Sequence, residues 1–205
     1  MPPTSDTPPT VTLDDARAAL EGAESLVERA LGRAREITDA GKQIDAHQVL
    51  SQRVAYAATE ARAARELCDR TAAIRAEGRG DAALETLAGA AAAELAASVR
   101  DRLAPALEDL GLAEATLEQT YPAERRARLR RAAHESVFRA LGRHAADRRG
   151  RLDLPLDETL EQVRASVREF ADNEVAPHAE RIHRQDELVP ESFIQKMSEL
   201  GYFGL

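Results

Sequence analysis

Cysteine occurs once in the 205 residues, tryptophan not at all, and only seven residues are aromatic. A lone Cys68 permits no internal disulfide, which suits a reducing compartment, and a cytoplasmic location is expected. No apolar run approaches the ~18–20 residues of a membrane span, so no membrane role is expected. The start, MPPTSDTPPT, lacks the basic region and apolar stretch of a secretory signal. Basic residues are in deficit, 28 against 36 acidic, giving a net charge of −8. That balance opposes nonspecific binding to nucleic acid or to an anionic membrane. The shortage of aromatic and β-branched residues excludes a β-sandwich or barrel and argues against an α/β sheet.

What is abundant is alanine, with 41 residues. Alanine is the best helix former but fills little space, so helices that bury it must approach closely. The expected fold class is all-α. Residues 1–11, with four prolines among Ser and Thr, read as a disordered leader. Thr12 followed by Asp15 is an N-cap signal. Leu13, Ala16, Leu20, Ala23, Val27, Ala30, Ala34 and Ile37 then form one apolar stripe, ending near Gly41.

A second stripe runs from Leu50 through Val54, Ala57, Ala61, Ala64 and Cys68 to Thr71, closed by Gly78-Arg79-Gly80. A third follows Asp81 along Leu84, Leu87, Ala91, Leu95, Val99 and Leu103, with Pro105 stopping or kinking it. A shorter helix broken at Gly111 is expected over 107–121, and a further one over 122–146. Short polar connections predict an antiparallel bundle for residues 12–150.

Composition changes after the linker-like stretch 147–157. Four of the seven aromatics lie in the last 36 residues, and the boundary is placed near residue 150. In the segment 151–205, Leu156 to Phe170 predicts a helix ahead of Pro177. Pro190 is read as the first residue of another helix, with Phe193 or Ile194, Met197 and Leu200 as its apolar face. Gly201 suits a left-handed cap. Tyr202-Phe203-Gly204-Leu205 then reads as the opening of a buried segment, so the chain is expected to be truncated.

Each candidate for chemistry is incomplete. Glu180 and His183 have the Glu-x-x-His spacing of dimetal bundles, but no second copy occurs, which leaves a solvated face. Gly32 and Gly78-Arg79-Gly80 follow no strand, so they punctuate helices rather than cradle phosphate. Arg125, Arg126, Arg128, Arg130 and Arg131 lie in a segment, 122–149, with nine Arg against three acids. Only Phe138 interleaves that run, and pairing with acidic helices is preferred over nucleic acid. Cys68 sits on an apolar stripe and is read as a small buried hydrophobe. No catalytic, cofactor-binding or metal-binding residue is assigned.

Residues 156–205 carry a more specific pattern. Phe170, Glu174, Val175 and Pro177 end one helix, and a Pro-initiated helix closes on E-L-G-Y-F-G-L. This stretch resembles the opening of the N-terminal helical domain of acyl-CoA dehydrogenases. HQVLSQRVAYAATEARAARELCDRTAA, residues 47–73, resembles the first long helix of that family's C-terminal domain. TYPAERRARLRR resembles a later stretch of the same domain. A helical extension before such a core, together with the QDELVP turn (Gln185 to Pro190), is similar to the methylsuccinyl-CoA dehydrogenase subgroup.

The resemblance implies dehydrogenation of an acyl-CoA to its 2,3-enoyl-CoA, with a glutamate taking the α-proton and hydride passing to a flavin. It implies FAD, an electron-transfer flavoprotein as acceptor, and a homo-oligomer. None of the family's functional positions maps onto residues 1–205, so this chain alone is expected to be inactive and free of FAD. The alternative from another class is a stand-alone helical interaction module without catalysis.

Overall fold

A computed structural model describes residues 11–79, 82–150 and 156–204, and the expected leader falls largely outside them. Nine α-helices and no strand occur among the described residues. The chain divides into two units, residues 1–153 and 154–205.

The first unit is built on α1 (Leu13–Ile37), α2 (Gln48–Ala76) and α3 (Ala82–Leu103). Thr12 caps α1 reciprocally: its hydroxyl accepts the Asp15 N–H at 3.2 Å, and the Asp15 carboxylate accepts the Thr12 N–H at 3.2 Å. The helix ends short of Gly41. Asp39, Ala40 and Gly41 all have positive φ, and Thr38 donates its hydroxyl to Ala34 O at 2.7 Å. On α2 the whole expected stripe from Leu50 to Thr71 is buried.

α3 departs from its expected stripe. Leu87, Ala91 and Leu95 are only half-buried, whereas Ala88, Gly89, Ala90, Ala92, Ala93 and Ala96 are buried. The reason is position, since α3 packs on α1, α2, α5 and α6 and so buries several faces rather than one. For the same reason residues 82–106 are long and apolar enough to cross a membrane, against the sequence expectation. Gly89 lets the entering chain close over this helix. A Cβ there would overlap the Val11 side chain, and Val11, expected in the leader, is buried.

Pro105 does end α3, with a 3₁₀ turn over Ala104–Ala106. Past it, α4 spans only Ala115–Thr120, shorter than the expected helix over 107–121. The helix expected over 122–146 is two: α5 (Ala123–Ala132) and α6 (Glu135–Asp147). His134 makes the break, because its ring nitrogen accepts the Ser136 N–H at 3.3 Å and so starts a new helix.

In the second unit α7 (Glu158–Phe170) runs through a π-helical turn, Ala171–Val175, into α8 (Ala176–Arg184). The helix therefore does not stop before Pro177. The wider turn pairs the Ala176 N–H with Ala171 O, and Pro177, which has no N–H to donate, enters at the new start. Pro190 is the N-cap of α9 (Glu191–Glu199), one residue earlier than expected, and Gly201 takes φ 76° beyond it. Phe193 is buried, while Ile194 and Leu200 are exposed.

Candidate functional site

Ion pairs across the first unit lock its helices in register. Arg65 on α2 donates through Nε to Glu24 on α1 at 2.7 Å, and this pairing raises the guanidinium's proton affinity. Glu60 on α2 accepts Ser98 at 3.0 Å and Arg102 at 3.3 Å from α3, and Arg102 lies 5.2 Å from the centre of the Tyr56 ring. The half-buried glutamates Glu24 and Glu60 are thus spent on arginines, which leaves neither free to act as a base. Tyr121, fully buried, donates to Ala96 O at 2.7 Å, and burial pushes its phenol far above the usual range.

The arginine cluster on α5 splits into two groups. Arg125 reaches α1, donating to Ala18 O at 3.0 Å and Glu21 at 3.3 Å, and it also bonds the Thr120 carbonyl. Gly22 makes this approach possible, because a Cβ there would collide with Thr120 O and stand 2.8 Å from Arg125 Cδ. Arg126 pairs with Glu118 at 2.8 Å and Arg128 with Glu124 at 2.9 Å. Arg130 and Arg131 line an open depression together with Ala127 and His134. The expected pairing with acids therefore holds for part of the run only. Sequence reasoning did not single out His134, whose capping role shows only once the helix break is seen.

The remaining candidates assemble nothing. Glu180 pairs with Arg184 at 2.8 Å, and no group of metal-ligating side chains forms among the described residues. His178 lies 6.0 Å from the Phe193 ring, and His144 sits in the last turn of α6. His47 lines an open hollow with Ile37, Asp45, Arg53 and Asp109. Gly32 lies mid-helix with open space around it; Gly78, at φ 70°, follows the C-cap of α2, and Gly80 lies outside the described residues. Cys68 is buried, and burial pushes its thiol up, as befits an inert core residue.

Known families match both units in sequence. The family described as acyl-CoA dehydrogenase, C-terminal domain, matches residues 15–134, more than half of the chain. The chain belongs to the acyl-CoA dehydrogenase family. The N-terminal domain of the same family matches residues 157–205, so the two parts stand in reversed order along this acyl-CoA dehydrogenase chain. The (2S)-methylsuccinyl-CoA dehydrogenase of Cereibacter sphaeroides is 50% identical over 50 residues, which are 24% of this chain and 9% of that relative. The match thus spans about a tenth of the relative's length. No solved structure matches.

Proposed function

We propose that this chain is the amino-terminal part of a FAD-dependent dehydrogenase that oxidises an acyl-CoA of the methylsuccinyl-CoA type to its 2,3-enoyl-CoA. The observation that carries the reading is the 50% identity over 50 residues to a (2S)-methylsuccinyl-CoA dehydrogenase, beside a match of residues 157–205 to the family's N-terminal domain. The reversed order of the two matched domains supports reading residues 12–150 as a duplicated C-terminal-type bundle that precedes the catalytic core.

The residues present do not fit the flavin. Among the described residues the one buried side-chain polar atom lacking a partner is Thr71 Oγ1, inside the packed seam of α2. A flavin ring needs several convergent donors around a deep cleft. The hollow at His47 and the depression at Arg130 lie open at the surface instead. No catalytic step is assigned to this chain's side chains. Reoxidation by an electron-transfer flavoprotein and assembly as a homo-oligomer belong to the same proposal.

The test compares this chain with the longer protein that the reading requires. The longer protein should purify yellow, with about one FAD per subunit, and should reduce an artificial acceptor on addition of methylsuccinyl-CoA. The 205-residue chain should do neither. Flavin bound at stoichiometry by this chain, or a longer protein inert toward every acyl-CoA tried, overturns it.

A further inference from the structure

The family match accounts for the bundle but not for the surplus charge on one corner of it. The acids that pair with arginines of α5 and α6 among the described residues hold other members of the run: Glu21 holds Arg125, Glu118 holds Arg126, Glu124 holds Arg128 and Glu135 holds Arg139. Arg130 and Arg131 have no carboxylate partner among the described residues, nor does either donate to a carbonyl at the end of α5. On α5, Arg130 and Arg131 follow Ala127 by three and four residues and so share its face, and His134, the cap of α6 just beyond, lines the same depression. The small side chain of Ala127 leaves that depression unfilled beside the two arginines.

His134 completes the lining. Its Nδ1 accepts the Ser136 N–H and lies 2.8 Å from the Ser136 hydroxyl. An imidazole that accepts at Nδ1 carries its proton at Nε2, which is then a donor. Two forked guanidiniums and one ring N–H, with no acceptor among them, match a tetrahedral dianion better than a carboxylate.

We propose that Arg130, Arg131 and His134 form a binding site for a phosphoryl group, supplied either as free phosphate or as a phosphate ester. The inference does not rest on the proposed function and stands whether or not that reading does.

The experiment is a phosphate titration of the full 205-residue chain, followed by NMR of the arginine Nε–H signals at constant ionic strength held with sodium chloride. Saturable shifts are expected at Arg130 and Arg131. R130A/R131A should weaken binding about tenfold or more, whereas R35A/R143A, which removes two exposed arginines elsewhere, should change it less than about twofold. R130K/R131K keeps the charge but not the fork and should fall between them. All four replaced residues are exposed, and a thermal melt verifies that each variant is folded. A parallel titration with adenosine 3′,5′-bisphosphate separates the sources, since tighter binding than phosphate identifies an ester as the ligand. Equal loss in both alanine doubles, or non-saturating shifts, overturns the site. So does binding by heparin alone with a steep salt dependence, which would identify a polyanion surface instead.

Discussion

The two units of this chain belong to one family and yet hold themselves together differently. In the first, α1, α2 and α3 meet along seams of alanine and leucine, and Leu20, Leu26, Ile74, Val99 and Leu103 are shut away from water. In the second, Phe193 is the one buried apolar side chain among the described residues, while Leu188, Val189 and Phe203 stand 92%, 61% and 64% exposed. All but four of the 41 alanines (Ala165, Ala171, Ala176 and Ala179) lie in the first unit. Alanine lets backbones approach until a few leucines can fill the space between them. Where it is scarce, helices remain joined by polar ties such as Lys196 with Glu174, and by the edge-on contact of Phe170 with Tyr202. Matching a family domain in sequence is therefore distinct from possessing a core.

The sharpest way to break this comparison is to cut the chain at its division. Residues 11–153 alone should keep a helical spectrum and melt in one sigmoidal step. Residues 154–205 alone should lose ellipticity gradually with temperature, because a segment that buries so little cannot offset its chain entropy. A cooperative melt from the smaller piece would show that its exposed leucines and valines find each other after all. Next in size, Leu26→Ala should cost about 3 kcal/mol in chemical denaturation, whereas Ile194→Ala, at a half-exposed position, should stay within about 0.5 kcal/mol.

Alkaline titration separates the units on a different axis. Burial raises both the Tyr121 phenol and the Cys68 thiol above their ordinary values. A raised folded-state value means that the unfolded chain releases its proton first. The stability gained by keeping each group neutral is complete below the unfolded pKa and is lost as pH climbs above it. The decline should begin near pH ~8.5 from Cys68 and steepen near pH ~10 from Tyr121, at about 1.4 kcal/mol per pH unit for each group. Tyr121→Phe should lose about 1 kcal/mol at neutral pH with the Ala96 hydrogen bond, and should remove the later slope. Urea midpoints measured from pH 7 to 11 would show both effects.

Much of this architecture is legible in the sequence because periodicity reports which face is buried. Thr12 and Asp15 mark a helix start, and the α2 stripe from Leu50 to Thr71 is buried residue for residue. The misreadings share one physical cause, which is that periodicity is silent about events that depend on neighbours. A helix surrounded on several sides has no single stripe, so on α3 the spacing favours Leu87 and Leu95 although Ala88 and Ala92 are the buried residues. The break at His134 rests on a side chain accepting one backbone N–H, and the π turn before Pro177 on a shifted hydrogen bond. The arginine run is visible as composition. Which of its members are already spent depends on where Glu21 and Glu118 lie in space.

The smallest expected effect tests whether the first unit is packed as tightly as its burial suggests. Thr71 is 1% exposed, and its hydroxyl has no hydrogen-bond partner. A buried hydroxyl without a partner forfeits its hydration for nothing, whereas valine has nearly the same shape and no polar atom to strand. Thr71→Val should therefore stabilise the chain by about 1 kcal/mol. The same exchange at exposed Thr159, in the second unit, should change stability by less than about 0.5 kcal/mol, because water already serves that hydroxyl. Chemical denaturation of both variants decides the matter. A loss at Thr71 would mean that the seam around α2 opens enough to hydrate the hydroxyl, and the contrast between a dry first unit and a wet second one would narrow accordingly.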